Sequence, residues 1–131
     1  MIKHVILWKL KDELGKEEKE SVKKDIKEGL EGLAGQIPGL IDVHVNINGL
    51  ESSTADVMLD TTFESVDALK AYAVNPKHVA VADGKVRPYT AIRSCLDYEV
   101  EKNADIFKTY NISVLCFSGS CIAFYNTIYF V

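Results

Sequence analysis

Three observations predict an α+β fold with one antiparallel sheet and helices on a single face. Four segments have strand character, two regions have helical spacing, and their order is strand, helix, strand, strand, helix, strand. Residues 2–10 form the first strand. Ile2, His4, Ile6, Trp8 and Leu10 share one face, while Val5 and Leu7 lie on the other. Apolar residues on both faces mark a central strand covered on two sides. A long helix is expected over residues 14–36. Val22, Ile26, Leu30, Leu33 and Ile37 make one stripe at spacings of four, four, three and four. Lys16, Glu17, Glu20, Lys23, Lys24, Lys27 and Glu31 form its wet side, Gly29 and Gly32 weaken its last turns, and Pro38-Gly39 ends it.

In the second strand Ile41, Val43, Val45 and Ile47 alternate with Asp42, His44, Asn46 and Asn48, placing His44 in solvent. Asn48-Gly49 and the following polar residues turn the chain into a third strand over residues 55–63. Ser65 is a good N-cap for a short helix carrying Val66, Leu69, Tyr72 and Ala73. Asn75-Pro76 stops that helix and starts another, with Asn75 as N-cap and Pro76 at the first helical position. The second helix carries His78, Val79 and Ala82 and is expected to close at Gly84, before a last strand over residues 90–100. This order is the ferredoxin-like arrangement. Its sheet has a second face that is bare unless another subunit covers it, so a homodimer with sheets packed face to face is expected.

The 131 residues are 47% hydrophobic and 26% charged, which suits one soluble domain with a substantial core. A net charge of −4 and a pI near 5.3 exclude the basic face that nucleic acid requires. Cys95, Cys116 and Cys121 are too few and too irregularly spaced for a disulfide framework or a zinc site, so no metal or cofactor is expected. With no signal-peptide pattern at Met1, the expected location is cytoplasmic. Every charged residue lies at or before Lys108. The chain therefore divides into a mixed-charge domain, residues 1–100, and a hydrophobic extension, residues 101–131, uncharged from Thr109 onward. About 20 uncharged residues, 112–131, reach membrane-spanning length, while their β-branched and aromatic residues suit strands. A membrane anchor, an added element packed on the dimer and a mere extension of the domain are three open readings.

Five motifs carry a family resemblance. They are Ile2-Lys3-His4-Val5-Ile6-Leu7-Trp8-Lys9-Leu10-Lys11-Asp12, Ile37-Pro38-Gly39, Phe63-Glu64-Ser65, Asn75-Pro76-Lys77-His78-Val79 and Leu96-Asp97-Tyr98. In this order the chain resembles the stress-responsive dimeric α/β-barrel (Dabb) family over residues 1 to about 100. The resemblance implies a ferredoxin-like subunit and a dimer whose two sheets form a barrel. It extends to the olivetolic acid cyclase type within that family, which closes a linear polyketide by intramolecular aldol condensation without a cofactor. By that resemblance Tyr72 and His78 are the catalytic pair and His4 is a pocket residue. Leu30 falls near the position of a further pocket tyrosine of that type, a departure that removes one polar anchor.

On these assignments His78 is a general base at an acidic carbon beside a carbonyl, and Tyr72 orients it or donates to the developing enolate. His4, Trp8 and Leu30 are the expected substrate-binding residues in an apolar cavity. The plainer readings are a His4 ring bonded to backbone, a Tyr72 hydroxyl at the surface, a His78 that pins its short helix and a Trp8 in the core or dimer interface. Arg87 and Arg93 fit either an acidic ligand or surface ion pairs. Two functions follow: a dimer binding a hydrophobic carbonyl compound, with cyclase-like proton chemistry, or a non-enzymatic stress-associated dimer or larger assembly. Monooxygenase-like chemistry is a third option, by analogy of fold alone.

Overall fold

The computed structural model describes residues 1–101, 114–117 and 120–123. Four strands, β1 (Ile2–Leu10), β2 (Leu40–Asn46), β3 (Val57–Phe63) and β4 (Thr90–Glu99), form one sheet in the order β2-β3-β1-β4. All neighbouring pairs are antiparallel. The helices are α1 (Lys16–Glu31), α2 (Val66–Val74) and α3 (Pro76–Val81). Chain contacts separate a unit of Met1–Val100 from a unit of Glu101–Val131.

β1 runs through the middle of the sheet. Its residues Ile2, His4, Ile6, Trp8 and Leu10 are buried, as the alternation requires, whereas Leu7 on the opposite face is 41% exposed. Within one chain β1 is therefore covered on one side only. The α1 stripe Val22, Ile26, Leu30, Leu33 and Ile37 is buried throughout. The helix nevertheless ends at Glu31, earlier than its spacing suggests. Leu33, Ala34 and Gln36 bond back three residues, to Leu30, Glu31 and Leu33, in tight turns that keep the last apolar residues on the core side. Gly29 has a packing reason: a Cβ there would lie 2.8 Å from Lys85 Cδ and 3.0 Å from Val81 Cγ1.

Lys27 and Glu31 do more than wet the helix. Glu31 accepts the Val45 N–H at 2.9 Å and the Lys27 ammonium at 2.7 Å, while Lys27 donates to the Val45 carbonyl at 2.6 Å. Together they satisfy both backbone groups of one residue on the β2 edge. Partial burial raises the pKa of Glu31, but the bonds from Lys27 and Val45 outweigh it and hold the carboxyl below its usual value.

The expected alternation in β2 fails at its start. Leu40 pairs with Phe63 and Asp42 with Thr62, so Ile41 is the extra residue of a bulge. Leu40 is consequently buried and Ile41 is 51% exposed, the reverse of the strict period. Gly39 precedes this bulge at φ 80°, and a Cβ there would lie 2.5 Å from Ala68 Cβ. Both the turn and the approach of α2 demand glycine.

Both expected caps form. Ser65 Oγ accepts Ala68 N–H at 3.1 Å, and Asn75 Oδ1 accepts Lys77 N–H at 3.0 Å. The chain does not close at Gly84. It continues as a π-type turn, Ala82–Val86, and a 3-10 turn, Arg87–Tyr89, because Ala82 and Val86 are both buried and hold the intervening residues in helical register.

In the second unit, β5 (Val114–Phe117) pairs antiparallel with β6 (Ser120–Ala123), and Cys116 lies opposite Cys121. The remainder of the 112–131 stretch lies outside the described residues. Among those described, no helix is long and apolar enough to cross a membrane.

Candidate functional site

A cavity of about 720 Å³ opens between the covered face of β1, helices α2 and α3, and β4. That volume suits a small organic ligand. Its walls combine Ile2, Ile6 and Trp8 from β1 with Leu69 from α2, giving an apolar interior. His4, Tyr72 and His78 all border this same space. Leu30 does not: it is 1% exposed and packs in the α1 core stripe.

His4 is buried, and β1–β4 pairing sets it directly opposite Asp97. Its Nδ1 is hydrogen-bonded to the Asp97 carboxylate, not to backbone. In a neutral ring this bond places the proton on Nδ1 and leaves Nε2 as an acceptor. Partial burial raises the Asp97 pKa, but the His4 hydrogen bond and charge outweigh it and bring the carboxyl below its ordinary value. Cys95 lies two residues before Asp97 on the same face, with Sγ 3.5 Å from Asp97 Oδ1 and 3.7 Å from His4 Nδ1. Burial, then the Asp97 bond and charge, push its thiol pKa up. In the sequence Asp97 stands out only as part of the motif that closes the last strand, and Cys95 only as one of three irregularly spaced cysteines. Their signal was the alternation of Cys95 and Asp97 facing Ile6 and His4, which becomes visible once strand pairing is known.

The Asn75-Pro76 break folds α3 back against the end of α2. The rings of Tyr72 and His78 consequently lie 4.1 Å apart at 32°. They meet as stacked rings, so Tyr72 orients His78 through a ring contact and not through a hydrogen bond. Nδ1 of His78 instead faces the Ala73 carbonyl at 3.4 Å, and Tyr72 packs on Phe63 with centroids 5.0 Å apart. Burial lowers the His78 pKa, with a smaller contribution from the charges of Arg87 and His4, against the opposing Ala73 bond. At neutral pH the ring is neutral and able to accept a proton.

The Tyr72 hydroxyl is buried, not at the surface, and has no hydrogen-bond partner among the described residues. Burial pushes its pKa up to about 12, so it stays a donor. Arg87 and Arg93 both border the cavity; Arg87 pairs with Asp83, whereas Arg93 makes no ion pair among the described residues. His44 is exposed beside Asp42, its Nε2 3.1 Å from Oδ2.

The five motifs and the topology meet in one comparison. The Stress responsive A/B Barrel Domain model, Dabb, matches residues 2–100. The chain belongs to the Dabb family. A dimeric protein of unknown function and ferredoxin-like fold from Bacteroides fragilis is 33% identical, with a TM-score of 0.71, over 76% of this chain and 95% of that one. A Dabb family protein with a ferredoxin-like fold from Mesorhizobium loti is 17% identical, with a TM-score of 0.59, over 77% of this chain and 97% of its own. The hydroxynitrile lyase from Passiflora edulis shares the fold at 14% identity and a TM-score of 0.58, covering 78% of this chain and 94% of the lyase. None of the curated proteins matches the chain. The solved structures that resemble this chain thus include a dimeric protein and an enzyme.

Proposed function

We propose that this Dabb protein is a homodimer whose cavity binds a hydrophobic, carbonyl-bearing small molecule and moves a proton at the carbon beside that carbonyl. The observation carrying this reading is the wall chemistry: two imidazoles and the Tyr72 side chain border a single, mainly apolar space, and the buried Tyr72 hydroxyl has no hydrogen-bond partner among the described residues. A buried unpaired hydroxyl costs about 1–3 kcal/mol. A ligand oxygen bonded to it would remove that cost.

In this reading neutral His78 takes the proton, and Tyr72 holds its ring plane by stacking. The Tyr72 hydroxyl donates to the developing enolate oxygen. His4, aligned by Asp97, accepts a polar hydrogen of the substrate at Nε2. Trp8 contributes apolar wall. The second subunit covers the sheet face that carries Val5, Leu7, Ile92, Leu96 and Tyr98. Leu7, Ile92, Leu96 and Tyr98 are 41%, 56%, 63% and 42% exposed in one chain, and the register of β1 with β4 places them together.

Benzoylacetone tests this proposal, since it is apolar and bears an acidic carbon between two carbonyls. Trp8 is the one tryptophan of the chain and borders the cavity, so its fluorescence reports binding. Deuterium exchange at the acidic carbon, followed by NMR, reports proton transfer. Exchange should exceed that in buffer, and His78→Ala should slow it by about 10²-fold or more while the fluorescence response persists. Binding without acceleration would favour the non-enzymatic reading. Neither response would sink the site.

A further inference from the structure

We propose that His4, Cys95 and Asp97 form a binding site for a borderline-soft divalent cation, zinc foremost, in the β1–β4 wall. The pairing that sets His4 opposite Asp97 also sets Ile6 opposite Cys95, so all three side chains leave the sheet on one side. Each offers one ligand atom, Nδ1, Sγ and a carboxylate oxygen, and all lie within 4.8 Å of one another.

The geometry is close to what a tetrahedral ion needs. Zinc bonds of roughly 2.0–2.3 Å imply separations of roughly 3.3–3.8 Å between neighbouring ligand atoms. Sγ already stands 3.7 Å from Nδ1 and 3.5 Å from Oδ1. The Nδ1–Oδ1 edge is shorter because a hydrogen bond closes it. The cation takes the place of that bridging proton, and the Asp97 side chain, 47% exposed, has room to swing outward.

Charge and softness select the ion. A thiolate and a carboxylate with a neutral imidazole carry two negative charges, which balance a divalent cation. Mixed sulfur, nitrogen and oxygen donors favour zinc or cobalt over magnesium or calcium. Along the same face of β4, Arg93 opposes the cation and Glu99 favours it. On binding, the Cys95 thiol releases one proton to solvent. The His4 ring hydrogen moves from Nδ1 to Nε2, so His4 then presents a donor to the cavity. The fourth coordination position remains for water or a ligand oxygen.

Titration of the full chain with Co²⁺ tests the site, since a thiolate ligand adds a charge-transfer band in the near ultraviolet. One Co²⁺ per chain should bind with that band. Cys95→Ser, at an exposed position, should abolish the band without unfolding the protein, and Asp97→Asn should weaken binding by at least about tenfold. The double variant Cys116→Ser/Cys121→Ser should keep the band. Binding with no band, or a band that survives Cys95→Ser, overturns the proposal. Benzoylacetone exchange in chelator is read separately: acceleration there, with no cobalt band, removes the metal site and leaves the proton-transfer reading standing.

Discussion

At one edge of the sheet, β2 has the N–H and C=O of Val45 occupied by Glu31 and Lys27. At the other edge, every residue of β4 from 91 to 99 is exposed. One edge is shielded by its own helix. The other presents an apolar face, with Leu96 and Tyr98, and a polar face, with Arg93 and Asp97, that walls the cavity. Unpaired strand edges invite association, and natural sheets block those they do not use. The asymmetry therefore separates a border clamped by its own helix from one that is exposed along its length.

The largest effect should come from the exposed edge. Leu96→Glu places a charge amid the uncovered apolar face and should weaken self-association by about 30-fold or more, read as a shift from dimer to monomer in sedimentation. Ile41→Glu, at a 51% exposed position on the other edge, should leave assembly unchanged. A wild-type monomer, or identical sedimentation of Leu96→Glu, would contradict the proposed interface.

A smaller effect belongs to the shielded edge. Glu31→Ala removes the acceptor for Val45 N–H and should cost about 1–3 kcal/mol in chemical denaturation. Glu28→Ala, an exposed change on the same helix, should stay within about 0.5 kcal/mol. Equal losses for the two would show that the clamp contributes nothing particular.

The smallest effect lies in the cavity behind β4. Because burial holds the folded His78 pKa below its ordinary value of 6.5, the unfolded chain takes up the proton first as pH falls. Stability from this group is complete above 6.5 and is lost as pH drops through the folded value. Denaturation midpoints should fall as pH drops below 6.5, and less steeply in His78→Phe, which preserves the stack on Tyr72. Matching slopes would assign the acid sensitivity to other groups.

Local patterns revealed much of this architecture. Alternation in β1 gave its buried face, the α1 stripe gave the helix face, and Ser65 and Asn75 gave the two caps. What escaped depended on partners distant in sequence. Nothing near Ile41 signals a bulge, because the bulge is a property of pairing with β3. Glu31 looks like any exposed glutamate until β2 arrives beside it. The site was legible to the same degree: His4, Tyr72 and His78 share a cavity, but stacking between Tyr72 and His78 requires the angle set at Asn75. Asp97 and Cys95 needed the β1–β4 register, and Leu30 shows that an equivalent position on a helix need not reach the same cavity.

β1 presents two surfaces through alternate residues of nine, Ile2–Leu10. His4, Ile6 and Trp8 face the cavity, while Val5 and Leu7 face the uncovered side. Since strand side chains alternate, gaining or losing one residue at its start would exchange these two sets for the rest of the strand. Such a lesion would strike the cavity wall and the outer surface at once. Point substitutions can tune either surface alone, but changes in length cannot. Variation in this strand should therefore accumulate in residue identity and spare its length.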